Sequence, residues 1–399
     1  MTAPTDPATS EPGRRDPAAA PVPVAESSST RPKAVSFARG APSTDIVDVE
    51  GLKLAAQAAF TEDPAGVTGY GTAVGYPPLR RWIAAKHGVP ESHVLVTNGS
   101  MQADAFVFDE LVSPGSAVVA ERPTYDRTLL GLTSRGADVR LVTLRTDGID
   151  TDEVEQLLAS GVRPAFAHVI PNFQNPAGYT LSLAKRQRLL ELAREHEFLI
   201  FEDDPYYDIR FSGEPLPRML DLDGGAESTS VVYASSFSKT VCPGVRVGYI
   251  VGPPAFIERI RVRATNTYIS PSMVAQAVVF RFIEGSRFPA ALEGIRTALG
   301  ERVEALCAAL REHLPKARFE RPDGGYFLWV TLPEGEGHDS RRITSEAASR
   351  GVGIVPGGDF LLDEGLNSFR LAYSAVPVTD IDDGVRRLAE AVVVARDLG

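Results

Sequence analysis

Residues 235–248 read SSFSKTVCPGVRVG, with Lys239 set among Ser236 and Ser238 and Arg246 seven positions further on. A lysine that only meets solvent needs no such neighbours, whereas one that must meet an anion and stay reactive does. Just upstream, SVVYAS (230–235) has the short apolar character of a buried strand, which puts the lysine at a strand end. Five more runs have the same form: HVLVT (93–97), SAVVAE (116–121), AFAHVI (165–170), FLIFE (198–202) and GYIVG (248–252). All six read as buried parallel strands. Helical patterns lie between several of them, such as DEVEQLLAS (152–160) and LAKRQRLLELAREHE (183–197). Strands alternating with helices predict an α/β protein with a large, doubly wound, mostly parallel sheet.

The pattern changes after about residue 285. A long amphipathic helix (roughly 287–313) precedes two strand-like segments, GGYFLWVTL and NSFRLAYS, which predict a smaller α+β C-terminal domain. At the other end, residues 1–33 are rich in Pro, Ala, Ser and Thr and lack hydrophobic periodicity. They read as a disordered tail, too short for a DNA-binding domain. The expected organisation is a tail over 1–33, an arm over 34–60 packing on the small domain, a large domain over 61–285 and the small domain over 286–399.

Composition narrows the function classes. Apolar residues make up 43% and charged residues 23%, ordinary values for a globular protein. The formal charge of −11, from 41 Lys+Arg against 52 Asp+Glu, argues against nucleic acid or an anionic membrane as partner. Two cysteines, Cys242 and Cys307, cannot build a disulfide framework and show no metal-ligand spacing, so no metal site is expected. With no run of 18 apolar residues and no apolar signal core, the expectation is a cytoplasmic protein.

In open α/β sheets, ligands bind beyond the carboxyl ends of the strands. After HVLVT, Gly99 and Ser100 start a helix whose free N–H groups and positive dipole end suit an anion. After SAVVAE comes Tyr125, which could stack on a flat ligand. After AFAHVI, the Asn175-Pro176 turn closed by Gly178 fixes the Asn175 side chain. After FLIFE come Asp203 and Asp204, adjacent carboxylates that are costly at a buried strand end unless one meets a cation. Together with Ser236, Ser238, Lys239 and Arg246, these residues match a flat, phosphorylated aromatic aldehyde held covalently by a lysine, namely pyridoxal 5′-phosphate. Lys239 would form the Schiff base and, once released, act as the general base. One aspartate would pair with the ring nitrogen, while Asn175 and a tyrosine of PYY (205–207) would hydrogen-bond the phenolate oxygen. Tyr125 would stack on the ring. Ser100 with its helix N-terminus, Ser236, Ser238 and Arg246 would hold the phosphate.

From about Val35 onward the chain resembles the fold-type I pyridoxal-phosphate enzymes of the class I/II aminotransferase family, and within it the 2-aminoadipate/kynurenine aminotransferase subgroup. The resemblance rests on SFARGAP (36–42), GYGTAVGYPPLRRWIA (69–84), TNGSMQADAF (97–106), PNFQNPAGYTLS (171–182), FEDDPYYDIRF (201–211), SSFSKTVCPGVRVGYI (235–250), PDGGYFLWV (322–330) and FRLAYS (369–374). It implies the pairing Asp203 with Tyr206, since the ring-nitrogen Asp lies three residues before the phenolate Tyr. It also implies that Tyr70 reaches the phosphate of a neighbouring subunit in a homodimer with shared active sites. Arg370 is implied to grip the substrate α-carboxylate beside Asn175, and Gly99, Ser100 and Met101 to line the phosphate.

The implied activity is ping-pong transfer of an amino group from an L-amino acid to a 2-oxo acid such as 2-oxoglutarate. The alternative is another pyridoxal-phosphate chemistry on the same scaffold, such as elimination, cyclisation or oxidation. The chain departs from the family pattern at Arg39, which precedes Gly40 where Gly-Gly is usual at a position facing the substrate side chain. Ala177 replaces the Thr of the NPTG turn, and Cys242 reads as small packing.

Overall fold

The computed structural model describes residues 33–362, 365 and 367–397. The stretch read as a disordered tail lies outside the described residues except for Lys33. From Lys33 onward the chain forms one compact unit. A two-residue strand, β1 (Val35–Ser36), is followed by the strands of the main sheet: β2 (Val94–Thr97), β3 (Ala117–Arg122), β4 (Asp138–Arg145), β5 (Gly148–Ile149), β6 (Pro164–Val169), β7 (Leu199–Asp203), β8 (Val231–Ser236) and β9 (Gly248–Val251). Later come β10 (Phe327–Thr331), β11 (Val352–Gly353), β12 (Val355–Pro356) and β13 (Ser368–Ala372).

The main sheet has eight strands in the order β2-β9-β8-β7-β6-β3-β4-β5. β4, β3, β6, β7 and β8 run parallel to their neighbours in that series. β9, expected to be parallel, is antiparallel to both β8 and β2. The connection Phe237–Val247 holds only the short 3-10 turn Pro243–Val245, and a parallel return needs a crossover of a dozen or more residues, usually a helix. β4 and β5 extend the sheet beyond the six strands expected; half-exposed positions in β4 replace the continuous apolar run that marks a buried strand, and β5 is only two residues long.

Successive strand residues point to opposite faces. Val94 and Val96 therefore join one core with Leu79, Ile83, Leu189 and Ala277, while Leu95 joins the other with Phe106, Val107, Phe256 and Ile260. A third core surrounds the antiparallel sheet β10-β13-β12 and is closed by the helices Phe288–His313 and Val378–Asp397. Ile170, Phe173 and Tyr206, from loops that follow β6 and β7, also belong to this third core. β1 pairs with β11, whereas the helix Val49–Glu62 packs on the helix Met273–Glu284. No helix among the described residues is long and apolar enough to cross a membrane.

Arg186, fully buried on the helix Leu183–Glu195, ties two loops together, 170–182 and the one holding Pro217. It donates to the carbonyls of Leu181 (2.9 Å), Pro217 (2.9 Å) and Pro171 (3.1 Å) and to Asn172 Oδ1 (3.0 Å). Asn172 Nδ2 in turn donates to Asp204 Oδ2 at 2.9 Å. Arg186→Met would leave these acceptors unpaired inside the protein and should destabilise it by about 3–5 kcal/mol. Chemical denaturation checks this, and a loss below about 1 kcal/mol would contradict the role given to Arg186.

Candidate active site

The carboxyl ends of β2, β3, β6, β7 and β8 lie at one edge of the sheet, and each is followed by a residue that lines a single cavity of about 300 Å³. Ser100 and Met101 follow β2, Tyr125 follows β3, and Ile170 and Asn175 follow β6. Asp203 ends β7 with Tyr206 beyond it, and Lys239 lies three residues past β8. Arg370 and Phe327 enter from β13 and β10, and Ala38, Arg39 and Gly40 from the segment after β1. A larger cleft of about 720 Å³, along Arg210, Phe211, Arg296 and Arg321, holds none of the site residues expected from sequence.

The Lys239 amine donates to the Gly40 carbonyl at 3.4 Å. It lies 5.5 Å from the Tyr206 ring centre and 5.2 Å from that of Tyr326. The Tyr326 hydroxyl holds the Lys239 carbonyl at 3.2 Å. Burial, followed by the Arg246 cation, brings the amine down to about 8, with Asp203 opposing the shift. Such a lysine has a far larger free-base fraction near neutrality than an ordinary lysine and so is a competent nucleophile.

The two adjacent aspartates separate cleanly. Asp203 faces the cavity and burial pushes it up to about 7, against the pull of Lys239. Behind it His168 Nε2 lies 3.8 Å from Asp203 Oδ2, and burial drops this imidazole to about 3, so it is neutral. Asp204 points away from the cavity, bonded to Asn172, and is pushed up to about 8 by burial and by Glu202.

Arg370 is 7% exposed and sandwiched between Phe327 (4.4 Å) and Phe360 (4.8 Å). Its Nη1 donates to Asn175 Oδ1 at 2.9 Å and its Nη2 to the Ala38 carbonyl at 2.8 Å. Both terminal nitrogens are thus anchored, both flat faces are covered by aromatic rings, and the N–H groups left free at the guanidinium edge, the unpartnered Nε among them, can take a carboxylate in the plane. Gly40 has to be glycine because a Cβ there would lie 2.3 Å from the Phe327 ring.

Gly99, Ser236, Ser238 and Arg246 form a cluster against the start of the helix Ser100–Leu111 rather than lining the cavity itself. Arg246, at φ 49°, donates from Nη1 to Ser238 Oγ at 3.3 Å. Its other terminal nitrogen sits where a Cβ on Gly99 (φ +87°) would come, 2.3 Å away. The helix has no side-chain cap at Gly99. Its open N–H groups, the serine hydroxyls and the guanidinium could together hold a phosphate. Tyr70 is 93% exposed and lines no part of its own chain's cavity. Arg39 is exposed, and among the described residues no carboxylate pairs with it.

Three charged residues that line the cavity were not singled out from sequence: Asp104, Asp126 and Arg127. Asp104 lies four residues after Ser100, one helical turn on, so its spacing puts it on the Ser100 face. Asp126 and Arg127 directly follow Tyr125 and pair with each other at 3.5 Å.

The family described as aminotransferase class I and II matches residues 32–388. An aromatic-amino-acid aminotransferase of Thermococcus litoralis is 32% identical over 90% of this chain and 88% of its own length. A 2-aminoadipate transaminase of Thermus thermophilus is 33% identical over 91% of each chain. Among solved structures, α-aminoadipate aminotransferase from Thermus thermophilus, complexed with N-(5′-phosphopyridoxyl)-L-leucine, superposes with a TM-score of 0.87 at 32% identity, covering 92% of this chain and 94% of that one.

The amine of Lys239 should react with an amine-directed reagent at a rate that rises with pH through a midpoint near 8, because only the free base attacks. Peptide mass spectrometry follows the site. Asp203→Asn should lower that midpoint further, since it removes the charge that raises it. A midpoint near the ordinary 10.5 would mean that the cavity does not desolvate the amine.

Proposed function

Because this chain belongs to the class I and II aminotransferase family, we propose that it binds pyridoxal 5′-phosphate through Lys239 and moves an amino group from an L-amino acid to a 2-oxo acid, 2-oxoglutarate being the acceptor. The observation that carries this reading is that one cavity presents the Lys239 amine, the Asp203 carboxyl, the Tyr125 and Tyr206 rings, Asn175 and Arg370. The fit of the cofactor is supported by the depressed proton affinity of Lys239, by the unpartnered buried Oδ1 of Asp203 and by the uncapped helix start beside Ser238 and Arg246.

When bound, the cofactor supplies an electron sink for cleavage of a bond at the substrate Cα. The chain does the rest. Lys239 anchors the cofactor and, when displaced by a substrate amine, is the base that takes the Cα proton. Asp203 holds the ring nitrogen in its protonated form. Asn175 and Tyr206 hydrogen-bond the ring oxygen, and Tyr125 stacks on the ring. Ser100, Ser236, Ser238 and Arg246 hold the phosphate. Arg370 grips the substrate α-carboxylate, and its contact with Asn175 fixes the substrate relative to the ring.

Tyr70, almost fully exposed on its own chain, completes the phosphate site of a second copy, so the working unit is a homodimer in the cytoplasm. Arg39, exposed and without a carboxylate partner among the described residues, gives the substrate side chain an electrostatic preference for an acidic or polar end.

A single-turnover experiment tests the reading. Protein loaded with pyridoxal phosphate and mixed with an L-amino acid, with no oxo acid present, should release one equivalent of the corresponding oxo acid per site. Release of any other product, or failure to bind the cofactor, would overturn it. Lys239→Ala should abolish release while leaving the fold intact. Asp203→Ala should cost more activity than Asp204→Ala. Arg370→Ala should raise KM for every donor, whereas Arg39→Ala should raise it for acidic donors alone.

A further inference from the structure

Asp104 stands apart from the other charged groups of the cavity. It lies on the second turn of the helix Ser100–Leu111, is 7% exposed and lines the cavity together with Asp203, Tyr125 and Lys239. Its Oδ1 is buried without a hydrogen-bond partner, and so is Oδ1 of Asp203. Among the described residues no cation pairs with it. Arg127 is 3.5 Å from Asp126, and Arg135 is bonded to Asp109 at 2.6 Å. A buried carboxyl without a cation, facing a second carboxyl, keeps its proton, because two like charges in one desolvated site are not both tolerated. Burial first and the Asp203 charge second both raise the proton affinity of Asp104 well above the ordinary carboxylate range.

The groups that face Asp104 decide which carboxyl stays neutral. From β7 comes Asp203 and from the loop after β8 comes Lys239, whose positive charge favours ionisation of Asp203 and not of Asp104. From the segment after β3 come Tyr125, held neutral by burial at about 12, and the paired Asp126 and Arg127. On the far side, Arg127 and Arg135 share with Asp104 a second cavity of about 380 Å³.

We propose that Asp104 is a positioning residue of this site, a neutral carboxylic acid whose O–H donates to the Asp203 carboxylate, directly or across one water. A donor of this kind favours the charged form of its acceptor. It therefore works against the desolvation that pushes Asp203 toward its neutral form, and keeps the anion available to a protonated ring nitrogen. A carboxylic acid held neutral by its surroundings so that it can donate a hydrogen bond is an established use of burial.

The inference rests on the cofactor reading above, and its test separates the two. Apo protein is reconstituted with pyridoxal phosphate, and the dissociation constant and the pH titration of the visible band are measured for the parent, Asp104→Asn and Asp104→Leu. Asn is a neutral donor of similar shape and should leave both quantities within about twofold of the parent. Leu removes the donor and should weaken cofactor binding by about tenfold or more, the loss of one hydrogen bond to a charged group, and shift the titration by about one pH unit. If Leu is not accommodated, as judged by circular dichroism and thermal unfolding, Asp104→Ala makes the same deletion with a good helix former. A deletion variant that binds and titrates like the parent overturns the proposal. So does an Asn variant impaired as much as Leu, since the charge and not the donated proton would then matter. Failure of the parent itself to bind the cofactor would instead sink the reading of the site.

Discussion

An amine and a carboxyl face each other across one enclosed cavity, and the surroundings work against the charge on both. Burial brings Lys239 down to about 8 and Asp203 up to about 7, and each is the main charge opposing the other's shift. No hydrogen bond joins them, and the amine reaches only the Gly40 carbonyl, at 3.4 Å. Two polar groups kept so underused cost free energy, and they persist only where the frame around them over-determines their positions. That frame is identifiable. Lys239 is held at its own carbonyl by Tyr326, which the third core fixes in place. Asp203 ends a strand paired on both sides, and its neighbour Asp204 is tied through Asn172 to Arg186.

Strand direction matters as much as strand position. Because β9 runs against β8, its first residues lie at the edge of the sheet where the parallel strands end. Arg246, two residues before β9, therefore stands beside Ser238 and the start of the helix Ser100–Leu111. A parallel β9 would carry it to the opposite edge, some four residues of strand away. The short return Phe237–Val247 thus does two jobs, turning the chain and bringing Arg246 onto Ser238 and the start of the helix. Glycine is required where these backbones meet. A Cβ on Gly248 would lie 2.6 Å from the Gly99 carbonyl carbon and 2.7 Å from the Ser100 nitrogen.

Much of this is legible in the sequence, for physical reasons that also mark where legibility stops. The buried strands announce themselves as continuous apolar runs because both faces are covered. β4, half exposed near one edge, and β5, only two residues long, carry no such signal. The antiparallel turn of β9 is written in the length of its connection and not in its composition. Residues at strand ends can be gathered by topology, which is how Tyr125, Asn175, Asp203 and Lys239 come together before any coordinates. Choosing Asp203 over Asp204 needs either a family pattern or the sight of Asn172 against Asp204, since adjacent residues on a strand end look alike in sequence. Arg370 is beyond topology altogether, because it arrives from β13 of the other sheet. Asp104 is hidden for a different reason: an acidic residue on a helix reads as solvated surface until its burial is known.

The cavity divides into a fixed part and a free part. Asp203, Asn175, Tyr206 and Arg370 are all at least nine-tenths buried, and Arg370 is held by two hydrogen bonds and two aromatic faces. Arg39 and Arg127 are exposed, one without a carboxylate partner among the described residues and the other paired only with its neighbour. Geometry that must be accurate to a fraction of an ångström requires groups held as the first set is held, and the second set carries no such constraint. Relatives 32% and 33% identical to this chain carry names as different as aromatic-amino-acid aminotransferase and 2-aminoadipate transaminase. An exposed charge at the rim can change at little cost in stability, whereas a change among the buried groups would leave their partners unsatisfied.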